Sequence, residues 1–492
     1  MTARARTLGG RTGLRPGCEF MEGGGEEPSQ GERARPEPEA APSFAPGGKR
    51  PSVFRHRHFR NVWIGAFGSS VGAWMEFVGV SWTINRLGGD QAGFYLSLHA
   101  VAQLAPMMLL GVAGGVVADR VNRRTLLLWT QGAMMVIALL LTVLAATDLM
   151  NMAALMTLSA AMGIVMAFNV PAWQVLTPRL VPREELTDAM VLNGLQFNIA
   201  RVIGPALGGV LLAAGGPAWL FFINTLSFVG VMLAVRTTPD TPAPARHPHD
   251  SIWKETRDGL RFTLAGVGPR AAFLAMVIFG FLASPLQRML PLYISKVYPS
   301  SRWDQAWQEY GYGALLAVMG AGAVAGAFIV RAIPRWYPKH HMIPVSILLT
   351  GVSIVGFGFA WSPWVGVPFL AVAGAGWLAS FNATFAAMQM LVSDEMRGRA
   401  MAVCNTAVYG VMAFSPLLAD AIHHGLAPAT SDEAAIRWSL AIFGAVMTVA
   451  GVIMLAWRTP EVDGLSPGQH GFERKPGLWR GITGEVHRPP EH

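Results

Sequence analysis

The chain has 492 residues, of which 52% are apolar and only 14% charged, with a net charge of +8 and two cysteines. Soluble domains run nearer a quarter charged, so this composition excludes an ordinary soluble enzyme, and two cysteines exclude a disulfide framework. Nucleic-acid binding is excluded by where the positive charge lies, because Lys and Arg collect in alternate short loops between apolar runs and form no single basic face.

In chain order, residues 1–54 are rich in Gly, Pro, Glu and Arg and read as a disordered tail, without the apolar core of a signal peptide. Apolar runs of roughly 20 residues, enough to cross about 30 Å of hydrocarbon, follow near 62–84, 93–117, 126–146, 152–173, 189–213 and 218–235. A polar stretch separates this set from a second, near 271–295, 310–332, 342–361, 364–390, 400–422 and 437–457. The expected organisation is a six-helix bundle over 55–236, a linker over 237–269, a second bundle over 270–457 and a tail over 458–492. Within the linker, SIWKETRDGLRFTL places Trp253, Leu260 and Leu264 apart from Lys254, Arg257, Asp258 and Arg261. This is the pattern of a helix on a membrane surface or of a solvated linker helix. Arginines concentrate before the first span and at Arg120, Arg123, Arg124, Arg179, Arg183, Arg257, Arg261 and Arg331, whereas the intervening loops hold few. The bias puts both termini in the cytoplasm of a multi-pass cell-membrane protein.

The two sets repeat. A shift of 211 residues carries Gly111 onto Gly322, Gly115 onto Gly326, Arg120 onto Arg331, Leu180-Val181 onto Leu391-Val392, Ala189-Met190 onto Ala400-Met401 and Pro205 onto Pro416. One constant offset over so long a stretch predicts an all-α polytopic fold of twelve membrane helices, built as two pseudo-symmetric six-helix bundles with a substrate site between them.

Gly115-x-x-x-Asp119-Arg120-x-x-Arg123-Arg124, with Gly111 one turn upstream, resembles the loop signature of the major facilitator superfamily. That signature has glycine at the place of Asn122, a residue that also tolerates a left-handed backbone. The resemblance implies a gate. Gly111 and Gly115 let the second span approach a neighbour closely, and Asp119 faces the N-terminal end of the eleventh span near Ala400 when the cytoplasmic side is shut. Val330 stands where the acid would recur, so the latch is one-sided.

The segments GAWMEFVGVSWTINRLGG and NVPAWQVLTPRLVPREELTDAMVLNGLQFNIARVIGPALGG narrow the likeness to the enterobactin-exporter-like branch, also called transmembrane secretion effectors, over roughly residues 55–457. The resemblance implies a proton-coupled exporter of a siderophore, drug or other small amphiphile, and no enzyme activity or cofactor. Ala200-x-x-x-Gly204-Pro205-x-x-Gly208-Gly209 resembles the family's antiporter motif, with Ala200 in place of glycine. Small residues pack tightly and Pro205 bends the helix, which suits a seal.

The ionisable residues singled out within spans are Glu76, Arg201 and Arg288. At about 1.5 Å per residue, Glu76 lies roughly 22 Å and Arg201 roughly 18 Å from the cytoplasmic start of their helices. The matched depths suggest that they share the inner cavity of the first half, either as a proton-binding carboxylate tuned by Arg201 or as a permanent structural pair. Arg288, nearer the outer face, is expected to snorkel to head groups. Asn198, Gln287, Asn382 and Tyr409 are candidates to line the substrate cavity, and Asn169, Gln103 and Gln196 are polar positions of the same kind. The pairs His340-His341 and His423-His424 sit at loop levels without an evident acid cluster and are not read as a metal site. No GxxxxGK[ST] loop supplies an ATP drive. The expected partners are a small-molecule substrate, protons and membrane lipids but no nucleic acid, acting on a monomer. The competing readings are a uniporter or importer, and a non-transporting sensor or lipid-translocating protein of the same fold.

Overall fold

The computed structural model of the chain describes residues 53–176, 179–239, 252–299, 305–332, 339–392 and 394–456. The C-terminal tail, the linker from 240 to 251 and all but Val53 and Phe54 of the N-terminal tail lie outside these residues. Val53 and Phe54 belong to a 3-10 turn, Val53–Arg55, and pack onto the first helix, with the Phe54 ring edge-on to Trp63 at 5.1 Å.

Thirteen α-helices account for the fold of the described residues. They are α1 (Arg57–Gly88), α2 (Ala92–Arg120), α3 (Arg123–Ala146), α4 (Met152–Leu176), α5 (Leu186–Gly215), α6 (Pro217–Arg236), α7 (Ile252–Ala265), α8 (Val267–Leu292), α9 (Gln305–Ala332), α10 (Lys339–Gly358), α11 (Pro363–Leu391), α12 (Asp394–Leu426) and α13 (Asp432–Ala456). No strand occurs among the described residues. Hydrocarbon offers the backbone no partners, so a chain this apolar must bond its amides internally, as helices do. Eleven stretches are long and apolar enough to span a membrane, and one of them, Arg57–Ala118, holds both α1 and α2. Among the described residues the spanning helices therefore number twelve, all but the 14-residue α7. That short helix packs on the start of α12, with Gly259 against the Arg399 backbone.

Shifting by 211 maps the helices of the first half onto those of the second, so that Met152–Leu176 falls within α11 and Leu186–Gly215 within α12. The packing repeats as well. Gly114 and Gly163 seat α2 against α4 at the carbonyls of Ala167 and Gln103, and Gly322 and Gly374 seat α9 against α11 at those of Ala371 and Met319. Two ends of the molecule can now be distinguished. The hairpin end carries the α1–α2, α5–α6, α8–α9 and α12–α13 connections. The terminal end carries the start at Val53, the α2–α3 connection and the arginines at 55, 120, 123, 124 and 183.

The α2–α3 connection shows why asparagine replaces the family's glycine. Asn122 is not left-handed, having φ −56° and ψ 117°. It is the N-cap of α3, its side-chain oxygen accepting from the amides of Arg124 and Thr125 at 3.0 and 3.4 Å. Arg123 is buried, and Arg124 donates to the carbonyl of Arg236 at the end of α6, at 2.6 Å. Arg120 is exposed, and the Asp119 side chain lies outside the described atoms.

Candidate functional site

The most extensive contacts between the halves are made by two helix pairs, α2 with α12 and α5 with α9, and the repeat relates one pair to the other. Both touch near the hairpin end. Gly93 of α2 lies against the Asp420 carboxylate of α12, and a side chain at Gly410 would meet Met108 Sδ at 2.6 Å. On the other pair, Gly209 of α5 faces Tyr310 and Gly313 of α9, and a Cβ at Gly320 would sit 2.7 Å from the Arg201 carbonyl oxygen.

Toward the terminal end both pairs separate. With about 100° of turn per residue, Gly93, Met108, Gly111 and Gly115 share one face of α2. Yet Cβ atoms at Gly111 and Gly115 would meet nothing within 4 Å. Gly194 lies on the α5 face that carries Arg201 and Pro205, and it too fronts open space. The halves thus form a cleft closed at the hairpin end, and the two glycines read as close-approach residues face the opening. Of the antiporter-type motif, Ala200 is fully buried, Gly204 and Gly208 seat α5 on α1 beside Val71 and Val78, and Gly209 crosses to the other half. Pro205 has no amide to donate, so the carbonyl it frees is that of Arg201, the oxygen that faces Gly320, while the Pro205 carbonyl oxygen itself faces Gly313.

At the apex of the cleft Arg201 is buried at 6% exposure. Its guanidinium carbon lies 5.6 Å from the Trp74 ring centroid and 5.2 Å from that of Trp377, so one tryptophan from each half flanks it. Phe279 of α8 meets Trp377 edge-on at 5.4 Å, and Phe77 and Phe197 border Trp74. Cation–π contacts of this kind hold a guanidinium without a carboxylate, and no carboxylate pairs with Arg201 among the described residues.

Glu76 is elsewhere. It stands two residues from Trp74, about 200° around α1, and accepts from the Asn224 amide of α6 at 2.5 Å. Ser227 donates to Asn224 Oδ1 at 3.1 Å, and the bare backbone of Gly72 makes room for both side chains. Glu76 opens on a cavity of about 80 Å³ inside the first half, shared with His99, Gln103, Ser159 and Met162. That is room for a few water molecules.

Arg288 does not reach for head groups. It crosses from α8 into the first half, where its guanidinium donates to His99 Nδ1 and Gln103 Oε1, each at 3.0 Å. A guanidinium only donates, so His99 presents an unprotonated Nδ1. The same group lies 5.0 Å from the Phe77 centroid. Residues 77 and 288 differ by 211, so repeat mates touch here and mark the pseudo-two-fold axis. His99 and Gln103 also line the Glu76 cavity, which links that carboxylate to the interface between halves.

The remaining candidates scatter. Asn198 donates to the Gly194 carbonyl of its own helix at 2.7 Å, whereas Asn169 and Gln196 bridge helices, to Thr130 and Ser70. Asn382 is exposed, and Gln287 and Tyr409 are half-buried beside Arg288 and Gly410. Trp377 is one of the aromatic residues that the sequence offers for an amphiphile, whereas Trp74, His99 and Asn224 escaped the sequence reading. His99 in a span was a readable signal, and Trp74 was not, because apolar spans carry many tryptophans.

Residues 49–476 match the family described as transmembrane secretion effector. The enterobactin exporter EntS of Shigella boydii serotype 18 is 28% identical over 351 residues, which are 70% of this chain and 80% of that protein. The EntS protein of Escherichia coli O1:K1 is 27% identical over the same span. Among solved structures, the nucleoside transporter NupG carrying D323A aligns with a TM-score of 0.63 at 13% identity, covering 81% of this chain and 99% of its own. An inward-facing bacterial homolog of the human lysosomal transporter Spinster aligns at 0.59 and 14%, covering 83% and 96%. At such identities these structures speak for the fold, and the family match speaks for membership: the chain belongs to the transmembrane secretion effector family of major facilitator superfamily transporters.

Proposed function

We propose that this transporter exports a small organic molecule of the siderophore or amphiphile class, by alternating access, in exchange for protons. The observation that carries the reading is the cleft, closed at the hairpin end by α2–α12 and α5–α9, with Arg201 between Trp74 and Trp377 at its apex. With the arginine-rich end taken as cytoplasmic, this state is open to the cytoplasm, where an exporter loads. A flat cation between two indoles, one from each half, is suited to a cargo with aromatic and anionic character, and similarity to enterobactin exporters supports that class. Cargo that replaced one indole face would change the contacts holding the halves, which is the differential interaction that alternation needs.

Glu76 is the proposed proton carrier, with Asn224 as its amide partner and His99, Gln103 and Arg288 connecting its cavity to the interface between halves. Gly111, Gly115, Asp119 and the arginines of the α2–α3 loop are proposed to close the cytoplasmic side in the opposite state. The test is purified protein in vesicles with an internal pH dye and enterobactin as cargo. Cargo-driven proton movement that disappears in Glu76→Gln supports the proposal. Proton movement that persists in Glu76→Gln removes Glu76 from the mechanism. Cargo flux without any proton movement leaves a uniporter.

A further inference from the structure

We propose that Asp420, His423 and His424, at the hairpin end of α12, form a binding site for a divalent transition-metal ion of the zinc type. Spacings of three and four residues put all three on one face of the helix. Their ligand atoms lie within 4.8 Å of one another. His423 Nδ1 is 3.9 Å from Asp420 Oδ1, and His424 Nε2 is 3.6 Å from Asp420 Oδ2.

Two of these atoms require a partner. Asp420 and His423 are each 4% exposed, and Asp420 Oδ1 and His423 Nδ1 have no hydrogen-bond partner among the described residues. They face each other at a separation that no hydrogen bond closes. The other ring nitrogen, Nε2 of His423, pairs with Asp432 Oδ1 of α13 at 2.7 Å. With the proton on Nε2, the Nδ1 lone pair points to Asp420. A carboxylate that fixes the tautomer of a histidine in this way is the usual outer support of a metal ligand. Tetrahedral zinc with bonds of about 2.0–2.1 Å sets its ligand atoms about 3.3 Å apart, so small side-chain adjustments bring the three into place. His424 is half-exposed and leaves a route for the ion and a fourth position for water.

Charge agrees. Lys296 binds Asp432 at 3.3 Å and Asp90 at 3.1 Å, so three carboxylates (Asp90, Asp420, Asp432) stand against one ammonium. With neutral imidazoles the cluster carries two excess negative charges, which a divalent ion neutralises. Two nitrogen donors favour zinc-like ions over magnesium or calcium. The repeat adds a reason to regard Asp420 as more than a packing residue, because its mate in the first half is Gly209, which carries no side chain. Asp420 also lies directly against Gly93 of α2, so an ion here would sit at the seal between halves.

The test is tag-free full-length protein in detergent, titrated with Zn²⁺ by equilibrium dialysis and with Co²⁺ by visible absorption. One saturable Zn²⁺ per chain is expected, unaffected by Mg²⁺, with an intense Co²⁺ band of a four-coordinate nitrogen and oxygen site. Asp432→Asn, which keeps every ligand, should weaken binding about 10- to 100-fold, and His424→Ala, at an exposed position, at least as much. Asp420→Asn is informative only if it stays monodisperse, and the other two variants carry the test regardless. Absence of saturable Zn²⁺ binding, or equal affinity and stoichiometry in His424→Ala, overturns the proposal.

Discussion

Valine at Gly313 should push the equilibrium of this transporter away from the state described here. A Cβ there would lie 2.7 Å from Gly209 Cα and N, and closer still to the Pro205 carbonyl oxygen. Backbone atoms cannot rotate out of the way, so α5 and α9 must separate. Overpacking of this sort costs about 1–3 kcal/mol. The contact belongs to the state closed at the hairpin end, so the cost falls on that state, changing the opening equilibrium about 5- to 150-fold. A suitable reporter is Ser81→Cys, with Cys18 and Cys404 replaced by serine. Ser81 is buried at 2% exposure on α1, beside Tyr312 of α9. Its alkylation by a water-soluble maleimide follows the fraction of molecules open at that end, and Gly313→Val should raise the rate by the same factor. An unchanged or lower rate in monodisperse protein would show that the α5–α9 contact does not gate the hairpin end.

Other consequences follow from single contacts. Arg288→Met removes two charged hydrogen bonds worth about 1.5–3 kcal/mol each, and it should raise Ser81→Cys alkylation in the same direction, whereas a lipid-anchoring arginine would leave that rate alone. Arg201→Lys keeps the charge but loses the planar group between the tryptophans, so cargo affinity should fall in vesicle uptake assays nearly as far as in Arg201→Met; a fully active lysine variant would deny the stacking its role. Gly72→Ala would place a Cβ 2.7 Å from Ser227 Oγ and crowd Asn224, and proton movement per cargo should drop while cargo binding persists. Asn122→Ala should cost about 1 kcal/mol of thermal stability and Asn122→Ser almost nothing, because serine caps a helix; equal losses would point back to a left-handed requirement.

Much of this fold was legible in the sequence because hydrocarbon permits few structures. Apolar runs and the 211-residue repeat located every spanning helix, and the repeat also fixed which helices exchange roles. Helix ends were less visible: α1 begins at Arg57 and α12 at Asp394, each several residues before its apolar run, because helices continue through polar residues at the membrane surface. The site was read along one coordinate only. Glu76 and Arg201 have similar depths, but Trp74 and Glu76 point to opposite sides of α1, and depth carries no information about azimuth. Arg288 was misassigned for the same reason, although the repeat held the answer by matching it to Phe77. His99 and Asp420 lie within the predicted spans, and an ionisable side chain inside an apolar run was the missed signal. The Asn122 cap depends on backbone angles that a family comparison with glycine disguised.

The central claim is that two rigid halves rock about the Arg288–Phe77 axis, so that one end opens as the other shuts. The most direct measurement is a pair of spin-label distances, Gly115 to Gly398 across the terminal end and Phe94 to Ala421 across the hairpin end, recorded with and without cargo and over a range of pH. All four positions can take a label, since Gly115 and Gly398 front open space and Phe94 and Ala421 are exposed. The expected result is opposite change: conditions that shorten the first distance lengthen the second. Two distances that stay fixed, or that lengthen together, would contradict it.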